Sequence, residues 1–279
     1  MTQPLSISLL RGAMGVLSRT APSTASRVAM NLFMKPRRYT RPAREREVLQ
    51  SAARFEVTVD GQQVQAWRWG SGPAILLVHG WEGRGAQLAS FVAPLLARDF
   101  SVVTFDAVGH GDSEGPRSSL PHFAWSVRAV AAAIGPLAAI LAHSLGCAAT
   151  TLALRDGLET ERLVYFSPPL DPSDYVLRFG EILNIDKPVL ERMKRRIEHR
   201  FRRPWSEYSL ANTAPLMSTP LLVIHDRDDE ETLWRDGAAV AEKWPGARLM
   251  STKGLGHRRI LRDESAVEAA VQFVSACTS

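Results

Sequence analysis

The strongest constraint on the fold of this chain is an alternation. Short apolar runs at residues 74–78, 102–105, 137–141, 162–166 and 220–225 are separated mainly by helix-compatible stretches, and a further strand-like run follows at 248–252. A short run without polar alternates suits a strand buried on both faces. Two such runs joined through a helix lie parallel, because the crossover returns the chain in its original direction. Ahead of them, residues 55–59 and 64–69 alternate apolar with polar side chains across Asp60-Gly61, a dipeptide suited to the positive φ values of a tight hairpin. Those two strands are antiparallel. The expectation is an α/β fold with an eight-stranded, mostly parallel sheet flanked by helices.

A chain of 279 residues, 45% hydrophobic and 23% charged, can bury roughly three quarters of its unfolded surface and so give such a sheet a sizeable core. The only two cysteines, Cys147 and Cys277, cannot make a disulfide framework and read as free thiols in a reducing, cytoplasmic compartment. No run reaches the ~18 apolar residues of a membrane span, and the N-terminal residues lack the apolar block of a signal peptide. The net charge of +5 comes without zinc-ligand spacing or an aromatic-basic motif, so no nucleic-acid partner is expected.

Two segments stand outside the alternation. Residues 1–50 form an N-terminal amphipathic helical extension, with Leu5, Leu9, Met14, Leu17, Val28 and Leu32 at helical spacing and a break at Lys35-Pro36-Arg37-Arg38. Packing on the domain at 51–279, contact of residues 1–35 with an acidic membrane surface, and homodimer formation are all open roles for it. Between 168 and 215, after the sixth strand, there is no buried strand. Prolines, a basic amphipathic segment and Trp205 appear instead, as in a small helical cap. Residues 192–203 carry seven Lys or Arg and one Glu. That composition suits steering of an anionic substrate or simply a solvated helix face.

The chemistry centres on Ala142-His143-Ser144-Leu145-Gly146, which lies between an apolar run and a helix-compatible segment. A serine on so tight a strand-to-helix turn needs small residues two before and two after it, and Ala142 and Gly146 supply them. With Asp229 and His257 downstream, the chain resembles the α/β-hydrolase superfamily, which has this order of serine, acid and histidine. The resemblance runs from about residue 55 to 275. It rests on four motifs: His79-Gly80-Trp81, Gly109-His110-Gly111-Asp112-Ser113, the turn at Ser144 and Gly256-His257. Two departures are Ala142 and Asp226, each standing where the family usually has glycine.

The resemblance implies an α/β-hydrolase fold in which Ser144 is the nucleophile, His257 its base and an aspartate the partner of His257. The family's spacing from His225 points to Asp229, with Asp228 and Asp226 as alternatives. It also implies an oxyanion hole made by the backbone N–H groups of Trp81 and Leu145. Glu82, His143 and Trp205 are candidates for the substrate pocket. His79 and His110 are expected to be structural, and neither metal nor cofactor is expected.

The expected activity is that of a serine hydrolase, carboxylesterase-like, acting on an ester or thioester of a small to medium acyl compound. It should fall as pH drops through the range in which an imidazole gains its proton. A carbon–carbon bond hydrolase, an acyltransferase or a perhydrolase would use the same residues. A catalytically silent binding protein is the alternative from another class. Serine at the turn argues against haloalkane dehalogenases and epoxide hydrolases, in which an aspartate attacks.

Overall fold

A computed structural model describes residues 5–276. Three helices, α1 (Leu5–Thr20), α2 (Pro22–Phe33) and α3 (Ala43–Gln50), lead into β1 (Ala53–Val59), β2 (Gln62–Trp69) and β3 (Ala74–Val78). A 3-10 stretch, Gly85–Phe91, runs into the short α4 (Val92–Leu96) before β4 (Ser101–Phe105). Then come α5 (Leu120–Ile134), β5 (Leu137–His143), α6 (Leu145–Arg155) and β6 (Arg162–Phe166). The insertion supplies α7 (Ser173–Leu183), α8 (Lys187–Phe201) and α9 (Leu210–Thr213). The chain closes with β7 (Leu221–Asp226), α10 (Trp234–Lys243), β8 (Arg248–Thr252), α11 (Gly256–Arg259) and α12 (Glu264–Ser275).

All eight strands form one sheet in the order β1-β2-β4-β3-β5-β6-β7-β8, antiparallel at β1/β2 and β2/β4 and parallel elsewhere. The hairpin turns at Asp60 (φ 49°) and Gly61 (φ 74°), the positive values that match strand twist. Every residue of β3, β4 and β7 is buried, as in strands covered on both sides, and β3 is apolar throughout. On one face Ile75, Leu77, Leu141, Val164, Phe166 and Ile224 pack with Phe91 and Leu95 and with Ala270, Val271 and Val274 of α12. Each large apolar side chain buried there contributes roughly 1.5–3 kcal/mol relative to exposure.

The chain divides into two compact units, one made of the residues up to Lys35 with Asp171–Ser209, the other of Pro36–Leu170 with the residues from Leu210 on. This division differs from the sequence expectation of a separate extension over 1–50 and a cap over about 168–215. In the smaller unit α1 and α2 pack with α7 and α8, through Met14, Ala25 and Ala29 on the N-terminal side and Val189, Met193 and Ile197 on the other. Arg196 donates to Ser26 Oγ (2.9 Å), and Phe33 meets Phe179 edge to face at 5.3 Å. The extension thus contributes half of a helical unit whose other half is the insertion.

Residues 36–50 belong to the larger unit for an electrostatic reason. Arg38 donates to the carbonyls of Gly109, Gly111, Ser113 and Gly115, gathering the loop after β4 around one guanidinium. Arg41 pairs with the buried Asp106 (2.7 Å), and Glu45 pairs with Arg84. Burial pushes the Asp106 carboxyl up, although Arg41 and the N–H groups of Asp112 and Gly85 oppose that shift. The charges therefore hold this segment and these loops together only if all of them stay in place.

Candidate active site

In the strand order, β3 has β4 on one side and β5 on the other. The crossovers therefore diverge at β3, and the loops after β3 and β5 meet at the C-terminal edge of the sheet, where open α/β sheets place their sites. Ser144 sits in that crevice with φ 54° and ψ −125°, a left-handed conformation strained for a serine. Its N–H donates to the carbonyl of Phe166 on the neighbouring strand (2.9 Å). The requirement for small residues is visible as distances. A Cβ on Gly146 would lie 2.5 Å from the His79 carbonyl oxygen, and one on Gly80 would lie 2.9 Å from Ser144 Cβ. Helix α6 and the loop after β3 can approach the serine only because both side chains are absent.

His257 is the second residue of the short α11, and its Nδ1 lies 2.8 Å from Asp229 Oδ2, so an Nδ1–H donates to the carboxylate. Of the three aspartates left open by the sequence, Asp229 is the one in contact with this histidine. The same carboxylate accepts the N–H groups of Glu231 (2.9 Å) and Thr232 (3.0 Å), and His225 stands 3.4 Å away. Burial pushes Asp229 up, but bonds from His225, His257 and Thr232 outweigh it and hold the acid well below the carboxylate range.

Asp226 and Asp228 have other work. Asp226 accepts from the N–H groups of Asp228, Leu255 and Gly256 and from the Thr252 hydroxyl, at 2.7–3.1 Å. Burial raises its pKa less than those donors lower it. Asp228 accepts from Gly254 N–H at 3.0 Å. Both therefore hold the loop that carries His257, which explains an aspartate where the family usually has glycine.

His79, His143 and His110 are buried near the site. Ala107 N–H donates to His79 Nε2 (3.0 Å), so His79 Nδ1 carries the proton given to the Gly80 carbonyl (2.7 Å). Burial, then His110, pushes its pKa well down. His143, a pocket candidate by sequence, donates from Nε2 to the His257 carbonyl (2.9 Å) and lies ring to ring with His257 at 4.5 Å. Burial and the neighbouring His257 lower its pKa to about 3. His110 Nδ1 donates to Val108 O, and burial lowers its pKa to about 4.

Leu145 is the first residue of α6, where helix N–H groups have no intrahelical acceptor. Trp81 packs its ring edge to face with His110 at 5.1 Å. Glu82 is occupied by the segment before α3, accepting Arg37 N–H (3.0 Å) and facing the Tyr39 hydroxyl (3.4 Å). Trp205 belongs to the smaller unit, where its Nε1 donates to Ser173 Oγ (2.9 Å) and Lys194 lies over its ring. Among the described residues no three His, Cys, Asp or Glu side chains are grouped as metal ligands. Cys147 is buried with its thiol pushed up by desolvation, and Cys277 lies outside the described residues.

Sequence reasoning missed Ser167. It follows β6 beside Ser144, has φ 50°, is fully buried, and its hydroxyl has no hydrogen-bond partner among the described residues. A positive φ on a serine beside the site was not legible, because Ser167-Pro168 reads as an ordinary loop start. Arg38, Arg41 and Glu45 were also missed, since nothing local ties them to loops about 40 to 80 residues away.

A mostly parallel sheet with a strained serine at its crossover point and a histidine–aspartate pair facing the same edge defines the hydrolase class of α/β proteins. Residues 75–271 match the alpha/beta hydrolase family, and this chain belongs to it. A stretch of 62 residues is 44% identical to a fluoroacetate dehalogenase from Burkholderia sp, covering 22% of this chain and 20% of that protein. The chain thus spans about a fifth of the dehalogenase. Another 153 residues are 29% identical to a serine hydrolase-like protein of Homo sapiens, covering 52% of this chain and 71% of that one. An esterase from Exiguobacterium antarcticum superposes with a TM-score of 0.65 at 17% identity, over 80% of this chain and 100% of that one. At that identity the likeness is one of fold.

Proposed function

We propose that this hydrolase cleaves a carboxylic ester or thioester of a small to medium acyl compound through an acyl-enzyme on Ser144. The observation that carries the proposal is the 2.8 Å bond between His257 Nδ1 and Asp229. With Nδ1–H donated to the carboxylate, Nε2 is left as the lone pair that can accept the serine proton. In acylation Ser144 Oγ bonds to the acyl carbon, its proton passes to His257 Nε2, and the carbonyl electron pair moves onto oxygen. The N–H groups of Leu145 and Trp81 are the proposed donors to that oxyanion. Its collapse breaks the bond to the leaving oxygen or sulfur, which takes the proton from His257. Water then repeats the sequence and frees the acid. Asp229, ionised through the reaction, stabilises the imidazolium.

Ser144 also separates this proposal from the chemistry named for the dehalogenase relative. Displacement of a halide through an ester intermediate needs a carboxylate nucleophile at the turn, and a hydroxyl stands here instead.

A fluorophosphonate probe tests the assignment. Wild type should label and Ser144→Ala should not, and equal labelling would sink it. Rates on p-nitrophenyl esters against acyl-CoA thioesters then separate the two substrate classes. Tight ligand binding without a burst of product would favour a silent binding protein.

A further inference from the structure

We propose that the smaller unit docks the protein on the surface of a bilayer rich in anionic lipid, with an exposed apolar strip of α1 entering the headgroup layer. Charge is divided unevenly along the chain. The first 35 residues contain Arg11, Arg19, Arg27 and Lys35 and no Asp or Glu. Together with Asp171–Ser209 they make thirteen Lys or Arg against seven Asp or Glu, a net +6, while the rest of the chain is −1. Exposure sharpens the contrast. Ten of the thirteen cations in this unit are exposed, against three of the seven acids.

Helix α1 also carries more apolar surface than its own unit covers. Met14 is 2% exposed, whereas Leu9 is 70% and Val16 62% exposed. Those two lie seven residues apart, two turns along one side of the helix, with Gly12 and Ala13 exposed between them. On the opposite side of α1, Arg11 donates to the carbonyls of Glu181 (2.8 Å) and Ile182 (3.1 Å), which holds the helix on α7 and leaves the Leu9/Val16 side turned away from it.

Aliphatic side chains flanked by arginines, without an acid on the same helix, are complementary to hydrocarbon beneath anionic headgroups. A nucleic-acid surface would instead present aromatic or hydrogen-bonding side chains to bases, and α1 has neither in this strip. No helix among the described residues is long and apolar enough to cross a membrane, so the contact is one of lying on the surface.

Cosedimentation of the full chain tests the proposal, using vesicles of phosphatidylcholine alone and with a third phosphatidylserine. Wild type should pellet with the anionic vesicles, stay in solution with the neutral ones, and be released at about 0.5 M salt. Leu9→Asn with Val16→Asn, both exposed positions, should weaken partition about tenfold while far-UV circular dichroism is unchanged. Arg19→Glu with Arg27→Glu should remove the preference for anionic vesicles. Equal pelleting with neutral vesicles, or full binding by the Leu9/Val16 variant, would overturn it. So would binding of a duplex DNA as tight as that of the vesicles. Ester hydrolysis in solution is a separate readout, so loss of docking and loss of the proposed activity can be told apart.

Discussion

The three neighbouring aspartates at the end of β7 and just beyond it invite a single panel: Asp226→Asn, Asp228→Asn and Asp229→Asn. Only Asp229 reaches His257, at 2.8 Å. Its amide would no longer fix the histidine tautomer by charge or stabilise the imidazolium. The loss expected from such a change in a serine–histidine–aspartate site is about 10⁴-fold in kcat, or ~5 kcal/mol at about 1.4 kcal/mol per decade. Asp226→Asn acts differently. Four donors converge on two oxygens there, and an amide offers one acceptor and a mismatched NH2. One unsatisfied buried group corresponds to about 1–3 kcal/mol of stability. Asp228→Asn changes one bond, to Gly254, on an exposed side chain, and should be close to silent.

Turnover of p-nitrophenyl acetate by equal amounts of folded protein gives the first quantity and urea midpoints give the second. A further sign distinguishes Asp229. Because its folded pKa is depressed, its stabilisation is complete above the unfolded carboxyl value of about 4 and is lost as pH falls through the folded value. The stability gap between wild type and Asp229→Asn should therefore narrow as pH is lowered below about 4. The assignment of Asp229 is refuted if Asp228→Asn or a folded Asp226→Asn loses as much turnover, or if Asp229→Asn keeps a tenth of it.

Arg41→Ala should destabilise the protein by about 3–5 kcal/mol in urea unfolding, since it strands the buried Asp106 carboxylate; a loss below about 1 kcal/mol would show that Gly85 and Asp112 N–H groups suffice. The buried His110 and His143 have folded pKa values lowered to about 4 and about 3, so between the unfolded value of about 6.5 and these the unfolded chain binds more protons. Stability should therefore be full above pH 6.5 and fall as pH drops toward 4, by several kcal/mol in all, and urea midpoints flat from pH 7.5 to 5 would contradict it. Gly146→Ala should lower both stability, by about 1–3 kcal/mol, and turnover, because its Cβ would press on the His79 carbonyl behind the loop after β3; an unchanged melting temperature would refute the close contact. Ser167→Ala removes a hydroxyl that bonds to nothing among the described residues and should leave the melting temperature unchanged or higher.

The parts of the fold readable in the sequence are those governed by near neighbours. Asp60-Gly61 fixes a hairpin because two positive φ values are a local matter, and the unbroken run Ala74–Val78 becomes a central strand because no polar residue gives it a wet face. The serine turn announces itself through Ala142 and Gly146, both set by local crowding. The helix-compatible stretch between β3 and β4 is a 3-10 segment running into α4, with Leu88 off helical geometry at φ −94° and ψ 15°, a detail the apolar spacing does not encode.

What the sequence could not decide depends on groups far apart along it. Which aspartate holds His257 is a choice among three side chains within four residues. It was made by the path of the loop after β8, which brings Leu255 and Gly256 onto Asp226 and leaves Asp229 for the imidazole. The partners of Arg38 and Arg41 lie 65 to 77 residues downstream, and no periodicity reports such a pairing. The N-terminal helices likewise showed an apolar face without showing its partner, which is an insertion about 150 residues later. Local sterics and burial determine which elements form. Long-range pairing of charges and faces is settled only when those elements share one core.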